Sequence, residues 1–217
     1  MPNYHSFFFL YNLPMRATQA LPTNYKEIGI IDISNKRTLI LVNLLGFVLM
    51  VGFCALFYWL LYLMRPVQFN SDAMNHLFGS RNVLVETIGL LVLVALMLIL
   101  HEALHGVCFW VFTGSHPRFA FKGFYAYASI PGWYLPKVQY LVSALAPFLF
   151  ITILGLVLMA TLPATWFIPL LVVIVANAAG SVGDLVVAVW LLGRRKDVLA
   201  QDRGDAVTLF EPVTLEG

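Results

Sequence analysis

The sequence predicts an all-α integral membrane protein with four transmembrane helices and a short cytosolic-side strand or hairpin after the second helix. Apolar residues make up 60% of the 217-residue chain and charged residues only 11%, whereas soluble domains carry about 25% charged residues. The apolar residues form four runs, each longer than the roughly 20 residues that a helix needs to cross the hydrocarbon core. These runs cover residues 38–64, 83–113, 138–161 and 165–192. Lipid is therefore the expected solvent for most of the chain.

The positive charges lie outside these runs and predict the topology. Only Arg65 and Arg81 lie between the first and second runs. The loops before the first run, between the second and third, and after the fourth hold Lys26, Lys36, Arg37, Arg118, Lys122, Lys137, Arg194, Arg195, Lys196 and Arg203. Because loops rich in lysine and arginine stay in the cytoplasm, both termini are expected there. The chain then divides into a cytosolic N-terminal segment (1–37), a four-helix membrane domain (38–193) and a cytosolic C-terminal tail (194–217). The net charge of +2 is too small to indicate nucleic acid as a partner.

The second run carries the motif His101-Glu102-Ala-Leu-His105. His101 and His105 lie on one face of a helix, about 5–6 Å apart at Cβ, and can share one tetrahedral zinc ion. Glu102 lies one step around the helix, where it can take a proton from a zinc-bound water without being a ligand. The alternative is a hydrogen-bonded polar patch that joins helices, as histidine can do. Such a patch needs no carboxylate beside two histidines, so the motif favours metal chemistry.

A zinc site of this kind needs a third protein ligand, and Asp184 in the fourth run is the candidate. It is the only carboxylate in the sequence between Glu102 and Asp197. His101 lies 12 residues before Thr113, and Asp184 lies 10 residues before Arg194. At 1.5 Å per residue, both side chains are roughly 15–18 Å from the cytosolic ends of their helices. The two runs therefore bring the three ligands to one level.

Further polar and small residues accompany Asp184 in the fourth run. Asn177 and Ser181 share its helix face, and interhelical hydrogen bonds account for both, although Asn177 could instead position a substrate. Gly180 and Gly183 are expected to allow a neighbouring helix to approach closely.

Other features of the sequence carry weaker expectations. Pro147 should kink the third span and open space near the site. His116 is expected in an interfacial loop, and Cys54 and Cys108 are expected to be inert packing residues within apolar runs.

Two segments outside the apolar runs have the composition of strands. Residues 119–130 are rich in aromatic residues and lie between Pro117 and Pro131, which favours a strand or hairpin. An interfacial re-entrant loop and a substrate-binding edge both fit this segment, and the sequence leaves the two open. We expect another short strand at residues 26–33. The polar composition after Arg203 favours a mobile tail.

The sequence resembles a zincin-peptidase family of small bacterial membrane proteins, which is related to intramembrane zinc metalloproteases of the site-2 protease type. The resemblance rests on Leu-Pro-Thr-Asn-Tyr-Lys-Glu at 21–27, on His101 to Gly106, and on Asn177 to Asp184. It implies a zinc cofactor, a location in the bacterial plasma membrane, and a membrane-spanning or membrane-near protein as substrate.

These features together predict a membrane-embedded zinc metallopeptidase in which His101, His105 and Asp184 hold the metal and Glu102 is the general base. Two rivals remain: a non-catalytic membrane scaffold or complex subunit that retains a zincin-like fold, and a metal carrier. Glu102 distinguishes the peptidase from both, because neither a scaffold nor a carrier needs an acid at that position.

The charge pattern yields a topological prediction. A reporter fused close to either terminus should read cytoplasmic, and one placed between the first two spans should read outside the cytoplasm. Paired phosphatase and fluorescent-protein fusions measure this directly. A C-terminal reporter that reads outside would overturn the four-span topology.

Overall fold

The computed structural model describes residues 16–66, 82–121 and 126–213, and these are mostly helical. Five α-helices lie in this part of the chain: α1 (Lys36–Met64), α2 (Val83–Thr113), α3 (Lys137–Thr161), α4 (Phe167–Gly180) and α5 (Val182–Leu192). Six strands accompany them: β1 (Tyr25–Asp32), β2 (Arg118–Phe121), β3 (Ala126–Ser129), β4 (Tyr134–Pro136), β5 (Leu199–Asp202) and β6 (Ala206–Pro212). The expectation of an all-α fold is therefore wrong in one respect, because a small sheet is part of the molecule.

The first three apolar runs form the helices that the sequence predicts. Helices α1, α2 and α3 match the predicted boundaries within two residues and are long and apolar enough to cross a membrane. The fourth run is a bent pair: residues 164–180 and α5 meet at an angle of 48°. By length and composition the described chain thus has three candidate spans, or four if the bent pair counts as one.

The bend occurs at Ser181, between α4 and α5. The Ser181 hydroxyl donates to the Asn177 carbonyl at 2.8 Å, and the Ser181 backbone N–H donates to the same oxygen at 2.9 Å. The predicted interhelical bond of Ser181 is therefore wrong, because its hydroxyl bonds within its own segment. A serine that returns its hydroxyl to the preceding turn bends a helix, and Gly180 and Gly183 beside it are weak helix formers.

Close helix approach occurs at other glycines than those predicted. In the described residues, no atom outside the local helical turn lies within 4 Å of a Cβ built on Gly180 or Gly183. A Cβ on Gly46 of α1 would instead lie 3.3 Å from Val182 Cγ1, and a Cβ on Gly155 of α3 would overlap the Ile174 side chain of α4. The small residues that let helices meet therefore lie on α1, opposite the bend, and on α3.

The predicted hairpin after the second helix is confirmed. Strands β2 and β3 pair antiparallel from Arg118 opposite Ser129 to Phe121 opposite Ala126. Residues 122–125 of the predicted segment lie outside the described residues. The predicted N-terminal strand at 26–33 is also present as β1.

The predicted mobile C-terminal tail is wrong. Strands β5 and β6 join a four-stranded antiparallel sheet of order β1-β6-β5-β4. Apolar residues of both strands are buried, namely Leu199, Ala200, Leu209 and Phe210. The charges at Arg203 and Asp205 that suggested a solvated tail belong to the turn between these strands, where polar residues are expected.

Two apolar cores hold the molecule together. One joins α1, α3 and α4 through Phe57, Leu61, Met159, Phe167 and Ile174. The other joins α2, α3 and α5 to the strands through Phe109, Leu135, Tyr140, Leu191 and Leu209. The sheet is therefore an integral part of the fold and packs against the C-terminal halves of α2 and α5.

Asp202 connects the end of β5 to α3. Its two carboxylate oxygens accept hydrogen bonds from the Tyr140 hydroxyl at 2.6 Å and from the Gly204 N–H at 2.7 Å. Burial raises the pKa of Asp202 to about 6, although both hydrogen bonds act in the opposite direction. Gly204 has a φ of +93°, and the Tyr127 ring of β3 occupies the place of a Cβ there, so this turn requires glycine.

The Asp202→Asn protein should gain stability relative to the wild type as pH rises from 4 to 7, because the pKa of Asp202 is raised in the folded state. In the wild type the contribution of the Asp202 carboxyl to folding is fully present below about pH 4, where it is protonated in both states. That contribution is lost as pH rises through the folded pKa of about 6. Asparagine has no charge to lose and can keep both contacts. The difference should reach up to about 3 kcal/mol, at roughly 1.4 kcal/mol per pKa unit.

Thermal unfolding of both proteins in detergent between pH 4.5 and 7.5 measures this difference. Asp205→Asn is the matched control, because Asp205 lies in the same turn but is partly exposed. An Asp202→Asn effect that stays constant across this range would contradict the account.

Candidate metal centre

Helix α2 places both motif histidines on one buried face. His101 and His105 are 7% and 8% exposed, and their ring centroids lie 5.0 Å apart. The helix is continuous from Val83 to Thr113 and ends at Gly114, which adopts the left-handed conformation with a φ of +68°. Residues four apart in a continuous helix lie on the same face, so the imidazoles of His101 and His105 point in the same direction.

The bent fourth segment brings Asp184 to this pair. Its Oδ2 lies 3.3 Å from His101 Nε2, and its Oδ1 lies 3.4 Å from His105 Nε2. Asp184 belongs to the first turn of α5, which begins at Val182 after the bend. A carboxylate is favoured there by the exposed N–H groups and the dipole of the helix. The sequence expectation that the second and fourth runs meet at one level agrees with this geometry.

Each of the two histidine–aspartate distances is close to the spacing of two ligand atoms on a tetrahedral zinc ion, and the two distances involve different oxygens of Asp184. Ligand atoms about 2.0–2.1 Å from a tetrahedral metal lie about 3.3–3.4 Å from one another, whereas charge-assisted hydrogen bonds are about 2.7–2.9 Å long. Within the described residues, the three side chains form a group whose ligand atoms all lie within 4.8 Å of one another. Two imidazole nitrogens and one carboxylate oxygen are also a donor set that zinc accepts.

The second nitrogen of each imidazole is engaged by the protein. His105 Nδ1 lies 2.8 Å from the Ser143 carbonyl oxygen, which can only accept, so Nδ1 carries the proton. His101 Nδ1 lies 3.0 Å from Asn177 Oδ1, while Asn177 Nδ2 donates to the Phe148 carbonyl at 3.4 Å. This second bond fixes which end of the amide faces His101. Both Nε2 lone pairs are therefore directed to the side where Asp184 lies.

Glu102 lies beside this group without belonging to it. Its Oε2 accepts a hydrogen bond from the Ala128 N–H of β3 at 2.7 Å. The hairpin thus packs along α2 at the motif, and Phe119 of β2 covers Gly106. A carboxylate held next to a metal group but outside its donor set is in the position of a general base.

Asn177 is buried, with 1% of its surface exposed. Both ends of its amide bond to other helices, as the expected interhelical hydrogen bonds require, which favours a role as partner of His101 over the alternative of substrate positioning. His116 is exposed in the link after α2 and is not a member of the metal-competent group. Cys54 and Cys108 are free thiols, exposed and half-buried respectively.

Sequence reasoning did not identify the backbone groups of the site. A backbone carbonyl like that of Ser143 occurs in every residue type, and an N–H like that of Ala128 in every type but proline, so the residue type at these positions gives almost no signal. The one available hint was Pro147, four residues after Ser143, because proline withholds the N–H that would otherwise bond that carbonyl.

The donor geometry predicts that the purified protein binds about one zinc per chain. Replacing His101, His105 or Asp184 by alanine should each remove most of the metal, since two ligands alone hold zinc weakly. Elemental analysis after removal of free zinc measures this. Glu86→Gln is the matched control, because Glu86 lies on the same helix in its first turn. Full zinc content in Asp184→Ala would show that the third ligand is another group.

Comparison with known proteins agrees with the metal geometry. Residues 94–199, just under half of the chain, match the sequence model of a family described as "Putative zincin peptidase". No curated protein and no solved structure matches the chain significantly. The matched segment contains His101, Glu102, His105 and Asp184. Over this segment the chain is similar to the zincin peptidases, which supports zinc as the metal and peptide hydrolysis as the activity.

Proposed function

We propose that the protein is a membrane-embedded zinc metallopeptidase that hydrolyses peptide bonds in or near the membrane. The main support is the convergence of His101, His105 and Asp184, whose ligand atoms lie close enough to share one metal ion, with Glu102 alongside and outside the donor set. A metal carrier or a structural zinc site would have no use for this second carboxylate, whereas peptide hydrolysis needs a base next to the metal.

In this proposal His101, His105 and Asp184 hold the metal, and Glu102 transfers the proton. Zinc bound at these ligands would supply Lewis acidity and lower the pKa of a coordinated water. Glu102 accepts the proton of the attacking water and then delivers it to the leaving amine. Asn177 and the Ser143 carbonyl keep the imidazoles in the tautomer that leaves Nε2 free.

The hairpin supports a substrate-binding edge over a simple re-entrant loop. The Ala128 N–H points away from β2 and toward Glu102, so the outer edge of β3 lies beside the general base. An extended peptide that adds to this edge would place its backbone next to Glu102. Such a substrate must be locally unwound, because a helix hides its carbonyl groups in its own hydrogen bonds.

Membrane residence is supported by the outward faces of the helices. Large apolar side chains are more than half exposed along α1, α2 and α3, among them Leu41, Phe47, Leu91, Ile99 and Ile153. Apolar surface of this extent is not kept in water by a soluble monomer. The exposed faces support a membrane location with lipid around the helices. Our proposal adds the bacterial plasma membrane, from the family resemblance, and both termini in the cytoplasm, from the charge pattern.

A membrane-spanning or membrane-near protein is the corresponding substrate. The metal group lies between α2 and α5, where these helices pack against the sheet, and the hairpin edge faces the same group. A segment leaving the bilayer at this end could reach the hairpin edge and the base together.

The central test of the activity is Glu102→Gln. Glutamine has nearly the same size, and its Oε1 can still accept the Ala128 N–H, so fold and zinc content should be unchanged. It cannot accept a proton from water, and loss of a general base costs about 10²–10⁴-fold in rate. The readout is the set of new protein N-termini in the membrane fraction of cells that express only the wild type or only the variant.

Termini that disappear in Glu102→Gln and persist in the Glu86→Gln control identify the cleavage products. The scaffold alternative predicts the opposite result. If Glu102→Gln cells retain every wild-type terminus while the purified variant still holds zinc, the protein is not a peptidase.

A further inference from the structure

We infer that Pro147 is a positioning residue for the metal centre: it frees the Ser143 carbonyl from its helix so that this oxygen can hold the His105 ring. The inference rests on the proposed metal site. It concerns the residue type at position 147 rather than the ligands themselves.

Pro147 leaves the Ser143 carbonyl of α3 without its usual helical hydrogen bond. In an α-helix the carbonyl of residue i accepts from the N–H of residue i+4, so Ser143 pairs with position 147. Pro147 lies inside α3, has no N–H to donate, and is almost fully buried. Its ring also pushes the carbonyl of residue i−4 away from the helix axis. The Ser143 oxygen is therefore without its helical donor.

Another donor takes the place of the missing one. His105 Nδ1 donates to the Ser143 carbonyl oxygen at 2.8 Å. The bond is buried, since Ser143 is 1% and His105 8% exposed. A carbonyl that would otherwise be orphaned in an apolar interior is thus satisfied by the ring of a metal ligand. This bond places the proton on Nδ1 and directs the Nε2 lone pair to Asp184.

The side chain of Ser143 has no part in the hydrogen bond between Ser143 and His105. Its hydroxyl donates to the Gln139 carbonyl at 3.0 Å, one turn earlier in the same helix. The contact with His105 therefore depends on the backbone of position 143, and the residue that exposes this backbone is Pro147. Ser143→Ala should leave the contact intact.

The same turn of α3 also supports the other histidine. The Phe148 carbonyl, next to Pro147, accepts from Asn177 Nδ2, and Asn177 Oδ1 holds His101 Nδ1. The orientation of both imidazoles thus depends on backbone carbonyls from one part of α3, around Pro147. The predicted kink at Pro147 stays a prediction, and these hydrogen bonds are a separate effect of the same residue.

The experiment compares zinc affinity in Pro147→Ala with that of the wild type, by competition with a chelator in detergent. Alanine restores the N–H at position 147, which returns the Ser143 carbonyl to the helix and weakens its bond to His105. We expect the zinc dissociation constant to rise about 10–100-fold, as for other partners of metal-bound histidine. Stability without zinc should not fall, because an interior proline disfavours a helix.

Two controls separate this effect from the general loss of a proline or of a side chain. Pro169→Ala removes a proline from the first turn of α4. Backbone N–H groups in a first turn make no hydrogen bond within their helix, so Pro169 leaves no carbonyl without a donor. The Pro169→Ala protein should therefore bind zinc as the wild type does. Ser143→Ala should also retain wild-type affinity. A third variant carries the α-hydroxy acid counterpart of alanine at position 147, which lacks both the ring and the N–H. It should recover most of the affinity lost in Pro147→Ala.

The outcomes distinguish this inference from the proposed function. Wild-type zinc affinity in Pro147→Ala, or equal weakness in the alanine and hydroxy acid variants, overturns the role of Pro147 and leaves the metal site standing. Absence of zinc binding in the wild type overturns the metal site and this inference together. If Pro147→Ala does not fold, the hydroxy acid variant still tests the inference, because its zinc affinity must stay close to that of the wild type.

Discussion

The structure depends on one constraint: each ionisable side chain carried into the apolar interior must find a partner there, because an unpaired polar group is costly to bury. The two histidines of α2 face a single carboxylate, Asp184, with both Nε2 atoms. Their remaining nitrogens bond to groups on α3 and α4, and the neighbouring Glu102 bonds to β3. These contacts require α2, α3, the bent α4–α5 pair and the hairpin to meet at one place, so the site and the packing of the helices have the same cause.

The bend at Ser181 and the sheet complete this arrangement. The bend gives α5 its own N-terminus, and Asp184 lies in the first turn of that helix, where negative charge is favoured. The sheet covers the same end of the bundle, and its β5–β6 turn contacts β3 through Gly204 and Tyr127. The strand that holds Glu102 is therefore braced from the far side, by a part of the chain that looks like a polar tail when only its charges are considered.

Much of the fold was predictable from sequence because long apolar runs and a motif with helical spacing are local signals. The runs gave the boundaries of α1, α2 and α3, and the single carboxylate at Asp184 identified the partner of the histidines. The bend was not predictable, since Ser181 and its neighbouring glycines occur in straight helices too. The strands β5 and β6 were missed because β6 pairs with β1 and β5 pairs with β4, and both pairings join segments that are far apart in the sequence. The backbone groups that hold His105 and Glu102 have no residue-type signal at all.

The measurement that tests the central claim most directly is zinc-edge X-ray absorption of the purified protein, because it reports the atoms bound to the metal. A zinc ion held by two histidines and one aspartate should show a shell of nitrogen and oxygen at about 2.0–2.1 Å, with the outer-shell scattering of two imidazoles and no sulfur. Sulfur at about 2.3 Å would assign the metal to Cys54 or Cys108 instead. A shell of light atoms without imidazole scattering would equally contradict a centre built from His101, His105 and Asp184.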